Sequence, residues 1–209
     1  QKSGMIVLTG PAGSGKTTLA MNYFYWFTKF NPSYIHLFVA LEQPEEEIAV
    51  RWSKITNGNE SLHDRVHVLS NYNADGTYRN LSLSDIEQYI VKLQDEQKVK
   101  VGCVVIDHIG VLKKKGKDGE NQGLIDICHN MKAFAKRTNT FLVMQSQTSR
   151  EKAGIGDQEL DKDAAYGTSM FEWYCDFVVT THQPLKRVYA TAPHMTCSAC
   201  KYCNIRHKN

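Results

Sequence analysis

Nine consecutive residues near the start of the chain, Gly10-Pro-Ala-Gly-Ser-Gly-Lys-Thr-Thr18, combine a flexible backbone with one cation and paired hydroxyls. Gly10, Gly13 and Gly15 let the chain curl so that successive N–H groups converge, an arrangement suited to phosphate oxygens. The run fits G-x-x-x-x-G-K-[ST] throughout, with Pro11, Ala12, Ser14 and Thr18 completing the cradle. In that pattern Lys16 reaches the β- and γ-phosphates of a nucleoside triphosphate, and the Thr17 hydroxyl takes one position on Mg²⁺. The context agrees: the apolar run Met5–Thr9 precedes the loop and a segment of helical period follows it, which adds a positive helix end to the cradle. The bland counterpart is a glycine-rich turn without a ligand.

A phosphate loop needs a carboxylate on a neighbouring strand to complete the magnesium shell. Asp107 closes the apolar run Val-Val-Ile and fits that role; an ordinary strand-end aspartate is the alternative. His108, beside it, is assigned to the other side of the strand. Hydrolysis also needs a group to orient or deprotonate water. Glu42 follows the strand-like run 35–41, at the edge where open α/β sheets bind ligands, and by position is equally a solvated glutamate at a helix start. Gln147 ends another strand-like run, where its amide can sense a γ-phosphate.

The elements that must hold these groups alternate. Strand-like runs at 5–9, 35–41, 65–70, 101–112, 140–147 and 176–183 are separated by segments of helical period, which predicts an α/β fold with a mostly parallel central sheet flanked by helices. Helices are expected from about Gly15 to Phe30, from Glu45 to Ile55, through the residues after a capping box at Ser84–Glu87, and from Gln122 to Arg137. Lys113 to Asn121 reads as a basic loop. Further strand-like pieces lie near 186–192 and 202–206. The 209 residues, 42% hydrophobic and 22% charged, suit one sizeable domain, read as a module of something longer. A net charge of +3 permits a nucleic-acid partner without arguing for one, and no apolar run reaches membrane-span length.

Four motifs in order carry a resemblance. The phosphate loop, Phe38-Val-Ala-Leu-Glu-Gln-Pro44, Val104-Val-Ile-Asp-His-Ile-Gly110 and Ser146-Gln-Thr-Ser-Arg150 together resemble the RecA-type motor domain of replicative hexameric DNA helicases, the DnaB, phage primase-helicase and Twinkle group. The Asp-His-Ile wording is closest to the phage and mitochondrial branch. This resemblance implies a RecA-like P-loop NTPase fold, ATP hydrolysis with Mg²⁺, a homo-oligomeric ring (a hexamer) and single-stranded DNA in a central channel. It makes Glu42 the catalytic base, Gln147 the sensor, and Arg150 a neighbour of nucleotide or DNA. Asn204-Ile-Arg-His-Lys-Asn209 resembles the strand whose basic residues act on the adjacent subunit's nucleotide, so Arg206 and Lys208 are the trans-acting pair. Lys113, Lys114, Lys115 and Lys117, with Lys152 in the next loop, fall where such motors grip the DNA backbone. Lysine suits that sequence-blind contact, and a solvated charged loop is the alternative.

Six cysteines remain to be placed. Cys103, Cys128 and Cys175 sit in apolar runs and read as core residues, in a reduced intracellular chain. Cys197, Cys200 and Cys203 with His194 or His207 could ligate zinc, although the spacing of three inside a strand sends side chains to opposite faces. A cytoplasmic location in a bacterial or phage-infected cell is expected ahead of the mitochondrial matrix. Two other readings compete with a DNA-unwinding motor. One is a RecA- or KaiC-like ATPase switch or recombinase-type protein without unwinding; the other, a small-molecule kinase, lacks an arginine-rich lid segment.

Overall fold

The computed structural model describes residues 3–73, 75–112, 119–147 (the backbone alone at 119–125), 171 and 173–181. Within them six strands, β1 (Gly4–Gly10), β2 (Ile35–Ala40), β3 (Val66–Ser70), β4 (Val101–Asp107), β5 (Phe141–Gln147) and β6 (Phe177–Thr180), form one sheet in the order β3-β2-β4-β5-β1-β6. Every pairing between them is parallel. Strands β2 and β4 are buried along their whole length, as strands covered on both faces must be.

Among the described residues four helices provide the cover: α1 (Lys16–Phe30), α2 (Glu45–Thr56), α3 (Leu83–Gln97) and α4 (Gly119–Thr138). On one face Ala20, Met21 and Phe24 of α1 and Ile48 and Trp52 of α2 pack on Leu8, Phe38, Val105 and Val143. On the other, Ile86 and Ile90 of α3 and Cys128, Met131 and Phe134 of α4 pack on Met5, Leu37, Ile106 and Met144. The spacing of three and four along each helix generates these faces. Phe24 is central to the first core, meeting Phe38 and Trp52 edge-on at centroid distances of 5.7 and 5.3 Å. A fully buried side chain of that size is worth about 1.5–3 kcal/mol in area removed from water.

Three local expectations need correction. The strand after Val101 stops at Asp107, where its partner β2 also ends at Ala40, and turns into a 3-10 segment, Ile109–Leu112. Helix α4 starts at Gly119, so the last residues of the expected basic loop are already helical. The capping box belongs to Ser82 and Asp85, not Ser84 and Glu87: the Ser82 hydroxyl accepts from Asp85 N, and Ser82 N donates to the Asp85 carboxylate at 2.8 Å. Aspartate is one methylene shorter than the glutamate the pattern asks for, and it still spans one turn.

Parallel strands deliver all their carboxyl ends to one rim. Gly10, Ala40, Asp107 and Gln147 therefore end their strands on the same side of the sheet. The pleat then decides which face each side chain takes. Val105 and Val143 point toward α1, so Asp107 and Gln145, two residues further along β4 and β5, also point toward its first turn.

Candidate active site

Strand β1 passes into α1 through the glycine-rich loop, which folds as its spacing predicts. Gly13 (φ 70°) and Gly15 (φ 90°) take the left-handed conformation, Gly15 at the N-cap of the helix. Gly10 is required for a second reason, close approach. A Cβ there would collide with the Thr181 hydroxyl and lie 2.8 Å from Ser14 Oγ. Ser14 Oγ and Thr181 Oγ1 share a hydrogen bond of 2.6 Å, and Thr181 N donates to Thr9 O at 2.7 Å, so the end of β6 clasps the loop from the side.

The first turn of α1 has no side-chain cap and no acidic residue. Its positive end is left to whatever occupies the loop, which favours an anion. The ammonium of Lys16 is drawn over the loop and donates to Gly10 O at 2.9 Å and Pro11 O at 2.8 Å. Lys16 is only 8% exposed, held in place by its own loop. Ala12, Gly13, Gly15 and Thr18 are exposed along the rim, while Pro11 is half-buried.

Thr17 turns the other way, toward the sheet. Its hydroxyl donates to Asp107 Oδ2 at 2.8 Å and lies 3.3 Å from Gln145 Oε1. Asp107 is buried, and burial pushes its carboxyl above the ordinary carboxylate range. The Thr17 hydrogen bond pulls it back, the nearby Glu42 charge pushes it up again, and His108 and Gln145 lower it. Glu42 therefore stands close enough to Asp107 for their charges to interact, and the chain joining them is pinned by a 2.7 Å bond from Leu41 N to Asp107 O. The two carboxylates and the lysine line one rim.

His108 departs from the sequence expectation. Its Nδ1 lies 3.4 Å from Glu42 Oε1, on the same rim. The chain leaves the strand conformation directly after Asp107, so the alternation that would have sent His108 to the far face no longer applies. Gln147 is exposed at the end of β5 and registers against Gly10 on β1, beside the loop.

The oxygen donors suit magnesium, a hard cation that takes few protein ligands and fills its octahedron with phosphate and water. A hydroxyl and a carboxylate are present at 2.8 Å. A buried carboxylate pressed by a second negative charge is also a position that a cation stabilises. Among the described residues no group of three or more His, Cys, Asp or Glu is arranged to hold a metal ion.

A model of the DnaB-like helicase C terminal domain matches residues 1–159, a stretch that contains the loop, Glu42, Asp107 and Gln147. The chain belongs to this family. It is 24% identical over 170 residues to the replicative DNA helicase DnaB of Synechocystis sp., an alignment covering 72% of this chain and 19% of the relative. The chain thus spans about a fifth of the length of that curated protein. Among solved structures it is similar to one described as an ATPase domain, with a TM-score of 0.68 at 15% identity, covering 88% of this chain and 70% of that one. It is also similar to a KaiC-like protein of Pyrococcus horikoshii OT3, with a TM-score of 0.58 at 15% identity, covering 86% and 71%. Both likenesses concern the RecA-like fold.

Within this DnaB-like domain two site residues escaped sequence reading, Gln145 and Thr181. Gln145 carries a signal that could have found it: a polar residue two places beyond Val143, on the same face of the strand. Thr181 carries none, since its partner Ser14 lies 167 residues away. The expected contributions of Lys113, Lys114, Lys115, Lys117, Arg150, Lys152, Arg206 and Lys208, and of a zinc site at Cys197, Cys200 and Cys203, fall outside the described residues. Cys103 and Cys128 are buried core residues, and burial pushes the Cys128 thiol up to about 12. Among the described residues no helix is long and apolar enough to cross a membrane.

Proposed function

We propose that the chain is the ATP-hydrolysing motor domain of a ring-forming replicative DNA helicase, one RecA-like domain of a longer cytoplasmic protein, moving along single-stranded DNA. The observation that carries this reading is the 2.8 Å bond from Thr17 to Asp107, which joins phosphate loop and buried acid in a chain of this family. The loop and Lys16 bind the triphosphate, and the positive end of α1 faces it. Thr17 and Asp107 hold Mg²⁺, which when bound offsets charge on the phosphate oxygens. Glu42 accepts the proton of the attacking water, with His108 Nδ1 3.4 Å from its carboxylate. Gln147 senses the terminal phosphate.

In this reading Arg206 and Lys208 reach the site of the neighbouring subunit, so turnover depends on ring assembly. A basic group supplied in trans typically contributes ~10³–10⁵ in rate. The lysines of 113–117, with Arg150 and Lys152, contact the DNA backbone from the channel side.

The test is the lysine segment. Replacing Lys113, Lys114 and Lys115 together by Ala should weaken single-strand binding and lower the salt slope by about two, at roughly 0.7 per lost phosphate contact. Binding isotherms for an oligonucleotide at several salt concentrations would measure it. Unchanged affinity and slope would favour a nucleotide-driven switch that assembles without gripping DNA.

A further inference from the structure

Gln145 occupies a position for which the family reading supplies no role. It lies on β5, the strand between β4 with Asp107 and β1 with the phosphate loop, and its side chain is fully buried. Its Oε1 is 3.3 Å from Thr17 Oγ1, and its buried Nε2 acts on the Asp107 carboxyl without a short hydrogen bond of its own. A threonine hydroxyl has a single hydrogen, and here it is directed to Asp107 Oδ2 at 2.8 Å. Thr17 cannot serve both acceptors, so the amide oxygen faces a second oxygen with no hydrogen between them.

The amide N–H faces the Asp107 carboxyl and lowers its pKa, so turning the amide about its last torsion would only set Oε1 against that carboxylate. We infer that Gln145 is a positioning residue for the magnesium site, its buried amide set behind Thr17 and Asp107. The consequence is directional. With the Thr17 hydrogen given to Asp107 and the amide packed behind both groups, hydroxyl and carboxylate keep one relative orientation toward a cation. Gln145 acts through Thr17 and Asp107, and no contact with nucleotide is required of it. Partners of this kind, one shell behind the metal ligands, typically change metal affinity by about 10–100-fold when removed.

This inference rests on the nucleotide-site reading, and its test separates the two. Gln145→Met keeps the length of the side chain and removes the donor. In the protein at its full natural length, binding of a fluorescent ADP analogue would be titrated with Mg²⁺. The expected result is a rise of about tenfold or more in the half-saturating Mg²⁺ concentration, with nucleotide affinity in EDTA within about twofold of wild type. The same Mg²⁺ midpoint in a folded variant would make Gln145 a filler of the core and overturn the inference alone. If the wild-type protein shows no magnesium-dependent nucleotide binding, the site reading falls and the inference with it. Should Gln145→Met fail to fold, the wild-type side-chain amide resonance of Gln145 is the second measurement. It should shift when Mg²⁺ is added to the nucleotide-bound protein, and an unmoved resonance counts against the role.

Discussion

Lys16→Ala abolishes ATP turnover, with a loss of about 10³-fold or more expected from removing a preorganised charge at the reacting phosphates. Two features make this effect large. The ammonium is held by two carbonyls of its own loop, at 2.9 and 2.8 Å, so it is in place before any ligand arrives. It is also buried, where a charge acts through a lower dielectric than water and is poorly replaced by solvent. Alanine leaves the loop glycines and the helix end intact. Residual nucleotide binding through backbone N–H groups is therefore compatible with the loss of turnover. Phosphate release under saturating MgATP, with a melting curve to show that the variant is folded, would check it. Turnover within a few-fold of wild type would remove Lys16 from the chemistry.

Glu42→Gln separates binding from hydrolysis. The substitution keeps shape and hydrogen-bonding length while removing the capacity to take a proton, so nucleotide affinity should stay close to wild type as turnover falls by about 10²–10⁴. Glu42 is well suited to the role, because its side chain is 44% exposed, within reach of water, and its Oε1 lies 3.4 Å from His108 Nδ1. It contributes no hydrogen bond to Thr17 or Lys16 among those described, so the phosphate loop and the Thr17–Asp107 bond should survive the change. Removing the negative charge beside Asp107 should, if anything, ease retention of the buried acid in its ionised form. A single-turnover measurement on the nucleotide-loaded variant would decide: a trapped triphosphate is expected, and hydrolysis at the wild-type rate would assign the proton to another group.

Much of this site was legible in the sequence because its determinants are local. The loop from Gly10 to Thr17 is specified largely by glycine positions and by the strand and helix on either side. Asp107 could be placed because the apolar run ends at it, and Glu42 because a strand ends just before it. What the sequence did not show is set by contacts between distant segments. That β5 lies between β1 and β4 is a fact of strand order, and only this order puts Gln145 beside Thr17 and Asp107. His108 was assigned to the far face on strict alternation, which fails where β4 gives way to a 3-10 turn. The Ser82–Asp85 box departs from the serine-to-glutamate pattern, and the geometry accepts the shorter acid. In each case a side chain was visible and its neighbour was not.

The Thr17–Asp107 contact, the lysine over the loop and the glutamate at the rim describe a site for magnesium triphosphate; the family relationship connects such a site to DNA. The direct test of that connection is MgATP turnover by the full-length protein, measured with and without a single-stranded oligonucleotide. The account predicts turnover that is stimulated by the oligonucleotide and lost in Lys16→Ala. Robust turnover that is indifferent to DNA at every salt concentration would contradict it.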